Sequence, residues 1–103
     1  MGSDGRIEKR ETLRVPVHMA PMESAFNMET ATTVNISLHG ARILTNRRWR
    51  PGDQLSLTSS SGEYRLQGKV IYCYQMIEGQ FCVGVEFDVS IKNWRDVIWV
   101  DVA

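Results

Sequence analysis

Phe81, Val83, Val85 and Phe87 alternate with Cys82, Gly84 and Glu86 late in a chain of 103 residues. Apolar side chains at every second position place one face of an extended strand against a core and the other towards water. The same period runs through Val15, Val17 and Met19, and through Leu55 and Leu57. These runs are short, and turn residues separate them. Such a chain buries its apolar faces by pairing strands, not by packing long helices.

The period orders most of the chain. Met1 to Arg14 is polar and reads as an arm or loop. Pro16 and Pro21 flank the first strand and predict an edge position or bends. Met28 to Ser37 is rich in strand formers, Ser37 to Gly40 breaks it, and Ala41 to Thr45 resumes it. Asn46 to Asp53 is a loop closed by Pro51-Gly52, and Ser59 to Gly62 is a turn. Tyr64 to Tyr74 predicts a long strand bent at Gly68, with Tyr72 and Tyr74 facing the core. Glu78-Gly79 is the following hairpin turn. After Asp88 the period changes. Ser90 can cap a helix with Ile91, Trp94, Ile98 and Val102 on one face, and Trp99 nearby. About six strands and a terminal helix predict an antiparallel barrel, closed or nearly so, flanked or plugged by that helix.

Charge and cysteine usage narrow the function. Twelve basic residues balance twelve acidic ones, which disfavours a protein that lives on bulk phosphate attraction. Nine of the twelve basic residues are Arg, whose planar fork suits phosphates, carboxylates and purine faces. Cys73 and Cys82 form no Cys-x-x-Cys pair and lie near no histidine cluster, so neither zinc nor another metal is expected. With no basic, apolar, small-residue leader in view, two free thiols fit a reducing cytoplasm. Charged or polar residues interrupt every apolar run well short of about 20 residues, so membrane insertion is not expected. Met1-Gly2-Ser3 reads as an expression remnant, which would make this a domain cut from a longer protein.

Catalysis finds no footing. His18 and His39 are the only histidines, no acid is placed to orient either, and no Gly-x-Ser-x-Gly elbow or phosphate-cradling glycine loop occurs. Arg47-Arg48-Trp49-Arg50 could stack a base, but reads more simply as a solvated loop with Trp49 folded onto the barrel.

Two segments are ordinary alone and distinctive together. Lys9-Arg10-Glu11-Thr12-Leu13-Arg14 places two arginines four apart just before the first strand. After twenty intervening residues comes Asn35-Ile36-Ser37-Leu38-His39-Gly40. The ordered pair, Arg-x-x-x-Arg then Asn-x-Ser-x-x-Gly, resembles the signature of the PilZ domain family. Pro51-Gly52-Asp53 before a Leu-x-Leu strand and Val83-Gly84-Val85-Glu86-Phe87 resemble that family too, so the likeness spans about residues 8–87.

The resemblance implies a six-stranded antiparallel β-barrel with a C-terminal helix, residues 9–103, behind a flexible arm at 1–8. It implies a bacterial receptor for the second messenger cyclic di-GMP, not an enzyme, and without a cofactor. Its ligand residues would be Lys9, Arg10, Arg14, Asn35, Ser37 and Gly40. Arg matches the O6/N7 edge of guanine and the ligand phosphates. The Asn35 amide oxygen can accept from guanine N1–H or N2–H₂, although an amide offers one oxygen where an aspartate, common in the family, offers two. Ser37 can donate to a ligand oxygen, and Gly40 leaves room where the ligand meets the barrel. In such domains the residue before the first arginine bears on stoichiometry: arginine goes with two stacked ligands and an apolar residue with one. Lys9 supplies the charge for two. Binding would change contacts with a neighbouring domain or a downstream protein. The alternatives are a nucleotide-blind PilZ-like module and a small barrel for single-stranded nucleic acid. The intact motif disfavours the first, and the neutral charge the second.

Overall fold

A computed structural model of the chain describes residues 11–12, 14–24, 26–37, 39–60 and 65–88. The strands are β1 (Glu11–Thr12), β2 (Pro16–Pro21), β3 (Glu29–Ile36), β4 (Gly40–Thr45), β5 (Gln54–Ser59), β6 (Arg65–Ile77) and β7 (Gln80–Phe87). The order β3-β2-β5-β6-β7-β4 is antiparallel throughout, and β4 returns to pair with β3. The six long strands therefore form a closed barrel, and β1 pairs with the far end of β3. Closure removes the open edges that a small sheet would expose. No helix occurs among the described residues. The expected terminal helix, with Trp94 and Trp99, lies outside them, as do Lys9 and Arg10.

The inward faces follow the sequence period. Val15, Val17, Met19, Ile36, Ile43, Leu55, Leu57, Val70 and Val83 are essentially buried. Each such side chain contributes about 1.5–3 kcal/mol relative to exposure. Phe81, Val85 and Phe87 join Val83 inside, as their alternation requires. Trp49 also belongs to the core.

Three features depart from the period. β2 is not an edge strand, because it pairs with both β3 and β5, and its prolines sit at its two ends. There a missing ladder donor does least harm. β6 slips register at Ile71, where Val70 opposes Val85 yet Tyr72 opposes Gly84, and again between Gln75 and Ile77. The extra residue reverses the side-chain alternation beyond it. Tyr72 and Tyr74 therefore face outward, half-buried and exposed respectively, contrary to their expected place in the core. The same slip turns Cys73 inward opposite Val83 while Cys82 stays opposite Tyr74. The two free thiols point to opposite faces of the sheet and cannot be bridged without moving backbone.

Turn chemistry matches the geometry where the backbone demands it. At Pro51-Gly52, the Asp53 N–H donates to the Arg50 carbonyl at 2.9 Å and Gly52 takes φ +95°. Proline second and glycine third is the arrangement a type II turn requires. The turn is tied to β6 by the Gly52 N–H donating to the Val70 carbonyl at 2.7 Å.

Gly40 opens β4 opposite Glu86 of β7, and a Cβ there would overlap the Val85 carbonyl oxygen. Gly40→Ala is therefore expected to lower the unfolding free energy by about 1–3 kcal/mol, the usual range for overpacking. A urea melt checks this, and an unchanged midpoint would contradict the close approach of β4 and β7.

Candidate functional site

The site begins with a second inserted residue. In β3, Thr33 opposes Ile43 but Asn35 opposes Arg42, so Val34 is extra. Thr33 is buried inside the barrel, and the bulge turns Asn35 to the outer wall, where it is half-buried. Register then sets up one row across five strands. Thr12 opposes Asn35, Asn35 opposes Arg42, Arg42 opposes Gly84, and Gly84 opposes Tyr72.

The arm is threaded along β3 beside this row. Glu11 and Thr12 pair with Ile36 and Asn35. A little further on, the Thr33 N–H donates to the Val15 carbonyl at 3.0 Å, and the Val15 N–H donates to Thr33 Oγ1 at 3.0 Å. Arg14, exposed, lies between these two anchors, on the stretch of chain that runs beside β3 from Asn35 towards Thr33. Two motif residues with twenty others between them in the chain are thus brought to the same stretch of β3.

The Ser37–Gly40 segment closes the row at its end. The Ser37 N–H and hydroxyl both donate to the Gly40 carbonyl, at 2.8 and 3.2 Å. The Phe87 N–H donates to the His39 carbonyl at 2.7 Å and ties the turn to β7. Ser37 is buried, so its hydroxyl first serves the turn. Gly40 makes room for the neighbouring strand, which is a different reason from clearance for a ligand. Beside the turn opens a cavity of about 210 Å³, lined by Ser37, His39, Gly40, Tyr72, Gly84 and Glu86 among others.

Several members of this surface carry no sequence signal of their own. Arg42 Nε donates to the Tyr72 phenol oxygen at 2.9 Å. That hydrogen bond is the main reason its pKa rises above the ordinary arginine value. The Tyr72 and Tyr74 rings stack at 5.9 Å with planes 15° apart. Arg42, Tyr72, Ile71 and Glu86 were missed because only register and the β6 bulge bring them here. The one usable hint was the glycine at position 84 in an otherwise apolar strand.

The basic loop resolves differently. The Trp49 indole N–H donates to Glu29 Oε2 at 3.2 Å, and Arg47 Nε lies 3.7 Å from that oxygen. Arg47 also stands over the Trp49 ring at 5.2 Å, and Arg48 over Phe81 at 4.9 Å. With Trp49 buried and engaged, it offers no face for a base to stack on. Among the described residues, no group of three or more His, Cys, Asp or Glu could hold a metal ion. Nor is any helix among them long and apolar enough to cross a membrane.

Comparison with known proteins adds three findings. The family profile described as the PilZ domain matches residues 6–98. A solved structure from Bacillus subtilis, the inhibitor of motility MotI/DgrA, superposes with a TM-score of 0.67 at 13% sequence identity. That alignment covers 96% of this chain and 50% of MotI/DgrA, so the chain spans half that protein's length. No curated protein matches in sequence.

The Tyr74 phenol is held above the ordinary tyrosine pKa, chiefly by its hydrogen bond with Cys82. Cys82→Ala is expected to bring the Tyr74 titration back down, as read by ultraviolet absorbance in an alkaline titration. An unmoved Tyr74 would mean that the thiol is not its partner.

Proposed function

The chain belongs to the PilZ domain family, and on that premise we propose that it is a receptor for cyclic di-GMP. Domains of this family are regulatory binding modules rather than enzymes. One observation supports the reading: the chain on either side of Arg14 is bonded to β3, at Asn35 through Thr12 and at Thr33 through Val15. Charge for the phosphates and an acceptor for the base would then lie along one stretch of the wall.

The chemistry follows from that juxtaposition. The ligand is an anion with two phosphodiesters and two guanines. Arg14, with Arg10 and Lys9 before it in the chain, supplies the charge and the forked donors that guanine O6/N7 and phosphate oxygens require. The Asn35 amide oxygen accepts from a guanine N–H. Ser37 and Gly40 act through the turn they close. Its wall borders the cavity, and the Ser37 hydroxyl can reach a ligand oxygen only by giving up its bond to the Gly40 carbonyl.

Binding would tie Lys9 and Arg10, which precede β1, to the wall that already holds Arg14 through β1 and Val15. A partner or neighbouring domain that touches both surfaces would then gain or lose contacts, which is a segment-ordering switch. Cys73 and Cys82 lie on opposite faces and supply no ligand contact in this reading, and their free state fits a cytoplasmic setting.

Calorimetry tests the reading. Cyclic di-GMP should bind, whereas cyclic di-AMP and a single-stranded oligonucleotide should not. Arg14→Ala should weaken binding about ten- to a hundredfold, since a charge-assisted bond is worth about 1.5–3 kcal/mol. Because Arg14 is exposed, the melting temperature of the free domain should hardly move. Asn35→Ala should weaken cyclic di-GMP binding without affecting residual affinity for a generic polyanion. Equal losses for both ligands would reveal a nonspecific basic surface instead.

The residue before the first arginine sets a separate expectation. Lys9 offers charge to offset four phosphates but no plane to stack on guanine. Titration well above the dissociation constant should reach equivalence at two ligands per chain, and Lys9→Leu should shift it towards one. Equivalence at one in the unmodified protein would refute the paired-ligand arrangement.

A further inference from the structure

We propose that Arg42 is a third arginine of this site, aimed at a ligand phosphodiester and held in that posture by Tyr72 across Gly84. The inference rests on the reading of the surface as a cyclic di-GMP receptor and adds a contact outside the two sequence motifs.

Position comes first. Arg42 is the direct cross-strand partner of Asn35 on the outer wall. Side chains so opposed have Cβ atoms about 4.5–5.5 Å apart. Arg42 thus leaves the wall beside Asn35, and its side chain runs across β7 towards Tyr72, over the surface that a ligand extending from the Asn35 amide would cover.

Availability comes next. The Arg42 Nε–H is taken by the phenol oxygen of Tyr72 at 2.9 Å. That partner is neutral, so the positive charge is not cancelled. No carboxylate pairs with Arg42 among the described residues. Arg47 differs, because it faces Glu29 and its outer nitrogen donates to the Asn27 carbonyl at 2.7 Å. The two terminal amino groups of Arg42 remain to offer parallel N–H bonds, the geometry that suits the two non-bridging oxygens of a phosphodiester.

The guanidinium is also held in place. Tyr72 stands on β6 and Arg42 on β4, with β7 between them. The two strands are thus about 9–10 Å apart. The phenol spans that gap because its ring lies across Gly84, where a Cβ would fall among the ring carbons. Stacking against Tyr74 supports the ring from the side. An arginine fixed before the ligand arrives loses less side-chain freedom on binding, so more of its bond energy appears as affinity. This gives Gly84 a role in the site: it lets a tyrosine reach an arginine two strands away.

The test measures the dissociation constant for cyclic di-GMP by calorimetry over a range of salt concentrations. Arg42→Ala should weaken binding about ten- to a hundredfold. It should also flatten the salt dependence, because one phosphate contact is gone. Asn35→Ala should weaken binding and leave the salt dependence as it was. Arg42→Lys should recover part of the loss, since charge remains and the fork does not. Tyr72→Phe removes no charge and only the positioning hydroxyl, and it should weaken binding about three- to tenfold. Gly84→Ala should do the same by displacing the ring, and Tyr72→Phe decides the point if the alanine variant proves unstable. If Arg14→Ala weakens binding while Arg42→Ala changes neither affinity nor salt dependence, this inference falls and the receptor reading stands. If the unmodified protein binds no cyclic di-GMP, both fall.

Discussion

One inserted residue in β3 decides which side of the barrel wall Asn35 occupies. Strict alternation from the buried Thr33 would send Asn35 into the core, where an amide has little to bond and much to lose by desolvation. The Val34 bulge prevents this and leaves Ile36 to fill the interior in its place. A second bulge, at Ile71 in β6, does the same for Tyr72. The two slips are independent in sequence, yet both deliver polar groups to one row on the outer wall. Without either, the surface would lose its acceptor or the anchor of Arg42.

The row also needs the barrel to close tightly. β4 starts at Gly40 against the Val85 carbonyl, and Gly84 admits the Tyr72 ring. These glycines serve unlike ends: one lets two backbones meet and the other lets a side chain cross a strand. Around them the Ser37–Gly40 turn is bonded to itself and to β7, which fixes one side of the cavity wall. The arm is bonded to this wall through β1 and Val15, which fixes the stretch that carries Arg14.

Electrostatics is local in this protein. The formal net charge is zero, yet arginines meet three different fates. Arg47 is absorbed by Glu29 and Trp49, Arg48 rests over Phe81, and Arg42 is braced by a neutral phenol. Only the last arrangement leaves the charge uncompensated beside an acceptor. Global neutrality therefore says little about anion binding here, because the field that matters extends no further than about a Debye length.

The sequence by itself determined the barrel class and the two motif halves. Alternation at Val15 to Met19, Leu55 to Leu57 and Phe81 to Phe87 can be satisfied only by half-buried strands, and Pro51-Gly52 and Glu78-Gly79 name their own turns. Periodicity is a local property, so it survives in a single chain read end to end. The structure alone decided that β2 is interior and that Tyr72 and Tyr74 face outward, whereas Trp49 folds onto the barrel as its loop suggested. The structure alone placed Arg42 opposite Asn35. Bulges and register are settled by which strands meet and by how their faces fill a common interior. A one-residue slip leaves no mark in composition or period, yet it exchanges the two faces of every position beyond it.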